Sequence, residues 1–398
     1  MITYDDALQL VLKAVSPLPS IELALEDAAG LVLATPATAR WNMPPCDNSA
    51  MDGFAISNTP EKTEAVFEII DASYAGHPFS GEVLRGKAIR ITTGATLPEG
   101  VNTVIPVEEA IENDGKICLF STPETGQHVR YQGEEYQKGT VLAEPGTVLR
   151  AGEIALLASA GVDRVKVFKR PRVAIISTGD ELVELGQEPG PGQIINSNLH
   201  LLKTRLQESG CTPICVGIGK DDPGDLSSFI NQNLDADVII STGGVSVGER
   251  DHVQATLERH NFKKIFWKVA IKPGKPVLFG ILQDTPYFGL PGNPAATAAT
   301  FELLVKPALK CMAGHQQVLP QTRTAVLTNN VAGGCKRQAF LWCHLEWRDN
   351  GYEVTVSDRQ GSGQIRCLQA SNAMLSMPIG AEAINAGAKV EIFLIDDF

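Results

Sequence analysis

The sequence predicts a multidomain chain of α/β plus β class, in which a doubly wound, mostly parallel α/β domain is joined to smaller β domains. Between residues 171 and 318, apolar strand-like runs alternate with helix-like segments. This alternation is typical of a parallel sheet with helices on both faces. The regions before and after it contain short β-like runs separated by glycine and proline, which predicts additional β domains.

Length and composition limit the classes of protein to consider. At 398 residues the chain is longer than a single domain with one hydrophobic core usually is, so two to four domains are expected. No run approaches the roughly 18 apolar residues that a membrane span needs. The formal charge of −12 argues against nucleic acid and anionic lipid as partners, because both require a basic surface. The first six residues lack a basic and then apolar leader, so a cytoplasmic location is expected.

The first 170 residues divide into two predicted domains. Helical spacing of apolar residues early in the chain predicts a helical or mixed docking domain over 1–40, which the chain resumes over 141–170. Between them, short β-like runs such as 66–70, 88–91 and 103–107 predict an inserted β domain over 41–140.

The rest of the chain contains the α/β domain and a C-terminal domain. The predicted strands of the α/β domain are 173–177, 213–217, 238–241, 266–269 and 287–290, and its predicted helices are 198–209, 223–233, 252–260 and 295–311. Over 319–398, short apolar alternating segments predict a compact β barrel, with a sandwich as the alternative.

Glycine-rich turns follow three of the predicted strands of the α/β domain. Glycine lets the backbone approach a ligand closely, and the free N–H groups of the next helix can face phosphate oxygens. One such turn is an ordinary βα loop, but three at the carboxyl ends of strands in one sheet favour a shared ligand site. The candidate substrate-binding residues in these turns are Ser177, Gly179, Gly243, Gly244, Ser246, Pro291, Gly292 and Asn293.

Lysines and carboxylates accompany these turns. Lys272 and Lys275 stand three residues apart in a Lys-Pro-Gly-Lys-Pro turn, and Lys268 lies just before them. In an acidic protein this grouping favours an oxyanion site over a solvated surface turn. The turns also contain acidic residues, among them Glu181 and Asp251, and Asp221 begins a predicted helix. Carboxylates beside a phosphate site repel one another unless a cation lies among them, which implies Mg²⁺.

The inserted β domain contains a second polar region. Residues 44–56 are dense in turn-forming and acidic residues, and this pattern alone is typical of an Asx-rich turn. Together with the Thr-Thr-Gly-Ala stretch at 92–95 and the acidic stretch at 133–135, Asp52 could form a second polar face.

Seven motifs, taken together and in order, resemble one family. They are DNSAMDGFA, ITTGA, STGDEL, DDP, STGGVSVGERD, KPGKP and GLPGNP. This combination resembles the molybdopterin molybdenumtransferase family, which includes the MoeA proteins and the carboxyl-terminal domain of gephyrin, over essentially the whole chain. The resemblance implies an elongated MoeA-like homodimer of four-domain subunits. It also implies insertion of molybdate into adenylylated molybdopterin, with Mg²⁺-dependent pyrophosphate cleavage and release of AMP.

The resemblance also implies residue roles. The positions that match those the family uses are Asp52, Thr93, Glu181, Asp221, Asp251, Lys268, Lys272 and Ser362. We expect catalytic roles for Asp52, Glu181, Asp251, Lys268 and Lys272, metal binding by Asp221, Asp251 and Glu181, and substrate binding by Thr93, Lys275 and Ser362. The family further implies that the β domain of the other protomer completes the cleft. The upstream adenylyltransferase and the recipient molybdoenzymes are the expected protein partners.

Two positions depart from the family pattern, and other functions remain open. Glu135 stands where relatives often have Asp, and Trp342 stands where we expect an Arg that could bind an anion. Arg337, Arg359 and Arg366 are candidates to compensate. The alternative functions are adenylyl transfer to molybdopterin, a non-catalytic scaffold, and a related enzyme that uses tungstate.

Overall fold

The computed structural model describes residues 1–57, 66–220, 223–244, 252–349 and 351–395. A six-stranded sheet forms the centre of the α/β domain. In spatial order its strands are Thr212–Gly219, Arg172–Thr178, Val238–Thr242, Thr285–Leu290, Leu278–Leu282 and Phe262–Trp267. The pairings are parallel except for the two that Leu278–Leu282 makes, so five of the six strands run in one direction. The predicted mostly parallel sheet is therefore confirmed, with one antiparallel strand that the sequence analysis missed.

Both faces of this sheet are covered. Along the strand Arg172–Thr178, Val173 and Ile175 join one apolar core, whereas Ala174 and Ile176 join another on the opposite face. Strands buried on both sides are typical of doubly wound sheets. The helices of this domain are Ser197–Glu208, Pro223–Gln232, His252–Arg259, Pro294–Thr300 and Lys306–Met312, with a π-helical segment at Phe301–Val305.

The inserted β domain contains a second six-stranded sheet. Its strands, in spatial order, are Thr103–Pro106, Gly53–Ile56, Lys87–Ile91, Val66–Ser73, Lys116–Leu119 and Ala110–Asn113. Two short pairs flank it: Asn48–Ser49 with Val129–Arg130, and Ala37–Thr38 with Val141–Ala143. The segments before and after the insert meet in the antiparallel pair Ser20–Ala24 and Arg164–Phe168. They share a core with the 3₁₀ turn Leu25–Ala28, which also contacts the helix Ala151–Ser159.

The first helix, Tyr4–Ala14, packs elsewhere. Thr3 caps it by accepting a hydrogen bond from the Asp6 N–H, and two aspartates lie in its first turn, where they interact favourably with the helix dipole. Its buried face, which includes Tyr4 and Val11, lies in the core between the α/β domain and the C-terminal domain. The predicted docking domain over 1–40 therefore needs a correction: this helix packs against the later domains.

The C-terminal residues form a closed β barrel, as predicted. Its strands are Gln338–Arg348, Gly351–Val356, Thr322–Leu327, Lys389–Leu394 and Ala373–Met377, and the last of these pairs with the first to close the barrel. Alternation along Gln338–Arg348 places Ala339 and Cys343 inside the barrel. Phe340 and Trp342 face outward into the core shared with the α/β domain.

An aromatic contact joins this barrel to the first helix. The rings of Tyr4 and Phe340 meet edge to face with their centres 5.1 Å apart. Both side chains are buried, so the first helix, the α/β domain and the barrel share one core. No helix within the described residues is both long enough and apolar enough to span a membrane.

Candidate functional site

The three glycine turns lie at one edge of the α/β sheet. The strands that precede them are adjacent and parallel, with Ser177 opposite Thr242 and Thr242 opposite Leu290. Because parallel strands end at the same edge, Gly179, Gly243 and Pro291 leave the sheet side by side. The structure therefore brings the three predicted turns together.

Hydrogen bonds between the turns fix their relative positions. The Thr178 hydroxyl donates to the Thr242 backbone oxygen at 3.2 Å, and the Thr242 hydroxyl donates to the Ser177 hydroxyl at 3.4 Å. The Gly243 N–H donates to the Leu290 oxygen at 3.2 Å. Ser177 is fully buried. The prediction that Ser177 binds substrate is therefore corrected, because its side chain is buried and accepts the hydrogen bond from Thr242.

Close packing requires glycine at one of the turn positions, and a positive φ favours it at another. Gly243 has φ +89°, and a Cβ there would lie 2.3 Å from the Thr178 oxygen. Gly179 has φ +152°, and a Cβ there would lie 2.4 Å from a carboxylate oxygen of Glu181. Glycine at position 243 therefore lets the backbones of two turns lie close together. At position 179 the nearby atom is the end of a flexible side chain that can move, so the positive φ is what favours glycine there.

A cleft of about 530 Å³ opens above these turns. It is lined by Thr178, Glu181, Leu182, Ile194, Ile195, Asn196, Ser197, Asn198, Thr242, Gly243, Gly244, Pro276, Pro291, Gly292, Asn293, Pro294 and Gly363. Six predicted site residues are among them, from Glu181 to Asn293. Ser362 lies next to the lining, where its hydroxyl accepts a hydrogen bond from the Asn293 amide at 3.0 Å. The volume falls within the range typical of small-molecule sites.

The cleft residues that were not predicted include two asparagines, Asn196 and Asn198. Asn196 caps the helix Ser197–Glu208, because its side-chain oxygen accepts a hydrogen bond from the Leu199 N–H. Asn198 donates from its amide to the Gly292 oxygen at 2.7 Å. The Asn-Ser-Asn sequence before an apolar helical pattern is a helix-start signal that could have identified Asn196. No local signal identifies Asn198, because its partner is distant in sequence.

The predicted lysines lie on a hairpin beside the cleft. The Val269 N–H donates to the Lys275 oxygen at 3.0 Å, and Lys272 and Lys275 are exposed. Pro276 follows Lys275 directly and lines the cleft. Within this hairpin, Gly274 approaches Thr300, so the lysine turn packs against the helix that follows the third glycine turn.

The β barrel holds the same lysine segment from its other side. Ile271–Lys272 pairs in parallel with the start of the barrel strand Gln338–Arg348. The Arg337 guanidinium donates to the Ile271 oxygen at 2.7 Å. The position of Lys272 therefore depends on the barrel as well as on the α/β domain.

Asp52 and Thr93 form a pair in the inserted β domain. The Thr93 N–H donates to an Asp52 carboxylate oxygen at 2.6 Å, and the Thr93 hydroxyl donates to the same oxygen at 3.0 Å. These hydrogen bonds, the backbone one above all, hold the pKa of Asp52 below its ordinary value. Among the described residues that line the cleft, none comes from the inserted β domain. Within one subunit, this pair is therefore separate from the glycine turns.

The predicted metal site is described only in part. Glu181 is exposed and lines the cleft, whereas Asp221 and Asp251, together with the predicted substrate ligand Ser246, lie outside the described residues. Within the described ranges, no three His, Cys, Asp or Glu residues are grouped closely enough to hold a metal ion. A carboxylate oxygen is the type of ligand that Mg²⁺ prefers, so Glu181 fits the predicted role.

The two departures from the family pattern lie in different surroundings. Trp342 is only 1% exposed, and its backbone N–H and oxygen both bond the Gln360 side chain. This position therefore faces the core in this chain. Glu135 is exposed, and its backbone N–H donates to the Met43 oxygen at 3.0 Å.

Three family models match successive parts of the chain. They are the MoeA N-terminal region, domains I and II, at residues 2–161, the probable molybdopterin binding domain at 174–311, and the MoeA C-terminal region, domain IV, at 324–395. Together they cover the regions in which the inserted sheet, the α/β sheet and the barrel are found.

Curated relatives and solved structures agree with these matches. A molybdopterin molybdenumtransferase of Nostoc is 36% identical, over 91% of this chain and 86% of its own. One from Haemophilus influenzae is 36% identical over 98% of both chains. The crystal structure of a molybdopterin biosynthesis MoeA protein from Pyrococcus horikoshii is 30% identical. It superposes with a TM-score of 0.86, covering 99% of this chain and all of its own.

These similarities extend over the whole chain and include every domain that frames the cleft. The family resemblance inferred from the motifs is confirmed, as is the expectation of an enzyme of the transferase class. The chain belongs to the molybdopterin molybdenumtransferase family.

Proposed function

We propose that this chain inserts molybdate into adenylylated molybdopterin and releases AMP during molybdenum cofactor biosynthesis. The observation that carries the proposal is the cleft itself, where three glycine turns meet beside a hairpin with exposed lysines. The relatives bear the name molybdopterin molybdenumtransferase, which describes the same transfer.

The chemistry of the cleft suits these substrates. Adenylylated molybdopterin contains a pyrophosphate, and backbone N–H groups at glycine turns favour phosphate oxygens. Molybdate is an oxyanion, and the ammonium groups of Lys272 and Lys275 can bind such an anion. We assign pyrophosphate binding to Gly243 and Gly244 and molybdate binding to the lysine hairpin.

We infer that Glu181 holds Mg²⁺ together with Asp221 and Asp251. When bound, Mg²⁺ neutralises negative charge on the pyrophosphate oxygens. Glu181 supports this inference because its exposed carboxylate lines the cleft beside the glycine turn at Gly179. The residues of the chain would orient the pyrophosphate, while the lysines hold the oxyanion close to it.

We further infer that two subunits build each cleft. Asp52 and Thr93 are predicted site residues, yet the described lining of the cleft within one subunit excludes the inserted β domain. A partner subunit that supplies this pair would complete the site. Two inactive variants, Asp52→Asn and Lys272→Gln, test this directly when they are mixed. Mixed dimers with one complete cleft should regain AMP release, whereas activity that stays at the level of the separate variants contradicts shared clefts.

The principal experiment measures AMP from purified protein supplied with adenylylated molybdopterin, with and without molybdate and Mg²⁺. We expect AMP release to require both ions, and a parallel series with tungstate determines which oxyanion is preferred. Transfer of an adenylyl group from ATP to molybdopterin without molybdate would instead indicate the adenylyltransferase reaction. A scaffold role would follow if the folded wild-type protein released no AMP under any of these conditions.

The proposed reaction places the chain among cytoplasmic biosynthetic enzymes. Its substrate must come from an adenylyltransferase, and its product must pass to molybdoenzymes. We therefore propose the upstream adenylyltransferase and the recipient molybdoenzymes as transient partners. Pull-down experiments with each purified partner would test these contacts.

A further inference from the structure

Lys268 and the residue before it form a close cation–π contact. The Lys268 ammonium nitrogen lies 3.6 Å from the centre of the Trp267 indole ring. Trp267 is the last residue of the strand Phe262–Trp267, and its half-buried ring packs against the apolar core on one face of the sheet. The ring is therefore held in place by the core, and its π face holds the charged group.

The backbone at Lys268 also has an unusual conformation that neighbouring segments maintain. Its φ is +70°, in the left-handed region that a lysine rarely adopts. The Lys268 N–H donates to the Val277 oxygen at 2.9 Å, and the Lys268 oxygen accepts from the Ile2 N–H at 3.3 Å. Such a conformation persists only where surrounding contacts enforce it, and such positions cluster at functional sites.

The direction of the strand places this contact at the cleft edge of the sheet. Phe262–Trp267 runs in the same direction as Thr285–Leu290, because Leu278–Leu282 is antiparallel to both. Its carboxyl end therefore lies on the same side of the sheet as the glycine turns. The Lys268–Val277 hydrogen bond joins it to the hairpin whose Pro276 lines the cleft.

We propose that Trp267 is a positioning residue for Lys268. Its indole ring fixes the lysine ammonium at the side of the cleft next to the lysine hairpin, where we assign molybdate binding. A lysine side chain is long and flexible, so without a partner its ammonium group samples many positions. Contact with a fixed aromatic face restricts these positions and keeps the positive charge available to the anion. The inference rests on the proposed function, because it identifies the anion as molybdate.

The experiment compares Trp267→Leu, which removes the ring, with Trp267→Phe, which keeps a weaker π face. We expect Trp267→Leu to raise the molybdate KM for AMP release roughly 3- to 30-fold, with a smaller change in kcat, and Trp267→Phe to give an intermediate KM. Trp347→Leu is the matched control, because Trp347 is an exposed tryptophan on the barrel that stacks edge to face on Tyr352. It should leave the KM unchanged.

A double-mutant cycle with Lys268→Gln decides whether the ring acts through the lysine. In the Lys268→Gln background, Trp267→Leu should add little to the KM, because the cation that it positions is already absent. An equal effect of Trp267→Leu in both backgrounds would overturn the proposal, as would an unchanged KM in a folded Trp267→Leu protein. If Trp267→Leu fails to fold, the series Trp, Tyr, Phe at this position replaces it. Equal KM values across that series would also overturn the proposal.

Equilibrium dialysis with molybdate alone separates this inference from the proposed function. If the wild-type protein binds molybdate and Trp267→Leu binds it more weakly, the positioning role stands even where no AMP is released. If AMP release occurs as proposed and Trp267→Leu binds molybdate as the wild type does, only the positioning role fails.

Discussion

Asn198 donates a hydrogen bond from its side-chain amide to the backbone oxygen of Gly292 at 2.7 Å. Asn198 is the second residue of the helix Ser197–Glu208, and Gly292 lies in the turn that begins the helix Pro294–Thr300. This bond joins two sides of the cleft, from a buried side chain to an exposed turn. The orientation of the amide is fixed because a carbonyl can only accept.

Substitution of Asn198 should weaken both stability and activity. Asn198→Ala removes the donor to the Gly292 oxygen, so the free energy of unfolding should fall by about 0.5–1.5 kcal/mol, and AMP release should fall with it. Urea denaturation and the AMP assay measure the two effects. Asn233→Ala is the control, because the buried Asn233 amide donates to the Phe229 oxygen away from the cleft. Loss of AMP release in both variants would contradict a local role for Asn198.

Gly243 should not tolerate a methyl group. Gly243→Ala combines a positive φ with a Cβ only 2.3 Å from the Thr178 oxygen, so the turns must separate. We expect a loss of roughly 2–5 kcal/mol in the free energy of unfolding from strain and overpacking together.

The matched control for Gly243 is Gly86→Ala. Gly86 has a similar φ of +78°, but nothing lies within 4 Å of a Cβ built there. It therefore reports the backbone strain alone, which we expect to be about 1 kcal/mol. If urea denaturation shows equal losses in the free energy of unfolding for the two variants, the close approach of the two turns contributes nothing to the cost of Gly243→Ala.

Thr93 should control the titration of Asp52. Thr93→Val removes the hydroxyl donor but keeps the backbone N–H, which is the larger cause of the lowered pKa. The pKa of Asp52 should therefore rise part of the way toward its ordinary value of about 4. Carboxyl ¹³C NMR measures it, with Thr92→Val as the control, because the Thr92 hydroxyl bonds the Ala75 N–H instead.

The sign of the effect on stability follows from the lowered pKa. The folded state favours ionised Asp52, so this contribution to stability is complete above the ordinary pKa. It is lost as pH falls through the lowered value. In Thr93→Val the folded-state pKa of Asp52 is higher, so the contribution to stability should be smaller and its loss should be complete at a higher pH than in the wild type. Coincident acid-unfolding curves for the two proteins would count against this account.

The cysteines should differ sharply in reactivity. Burial raises the pKa of Cys343 to about 12 and that of Cys211 to about 12. Because the thiolate is the reactive form, neither should be alkylated by iodoacetamide at pH 8 in the folded protein, whereas exposed Cys118 and Cys215 should react. Mass spectrometry of the labelled peptides distinguishes the sites. Rapid labelling of Cys343 under native conditions would contradict the buried barrel core.

Local patterns predicted the glycine turns well because each follows a strongly apolar strand, and parallel topology brings such turns to one edge. The antiparallel strand Leu278–Leu282 was missed. Its connection to the strand Thr285–Leu290 consists only of Gln283 and Asp284, and this pair lacks the Asn-Gly or Asp-Gly sequence that marks a tight hairpin. A weak turn signal thus concealed a strand that reverses direction within the sheet.

Periodicity identified the buried face of the helix Tyr4–Ala14 but not its partner. An amphipathic pattern shows which side chains avoid water, and it carries no information on which surface covers them. The same reason explains Asn198, whose role depends on a turn that only tertiary packing brings near. The role of Ser177 was predicted wrongly because the sequence of a glycine turn does not show whether a neighbouring hydroxyl points into the cleft or lies beneath it.

The pairing of Ile271–Lys272 with the barrel strand Gln338–Arg348 has a consequence for truncated forms of the protein. A fragment that ends before residue 319 would lack the strand with which this lysine-bearing segment pairs, and Tyr4 would lose its contact with the Phe340 ring. The α/β unit is therefore a poor candidate for separate expression. Sequence changes in the last eighty residues can alter anion affinity without touching the ligand.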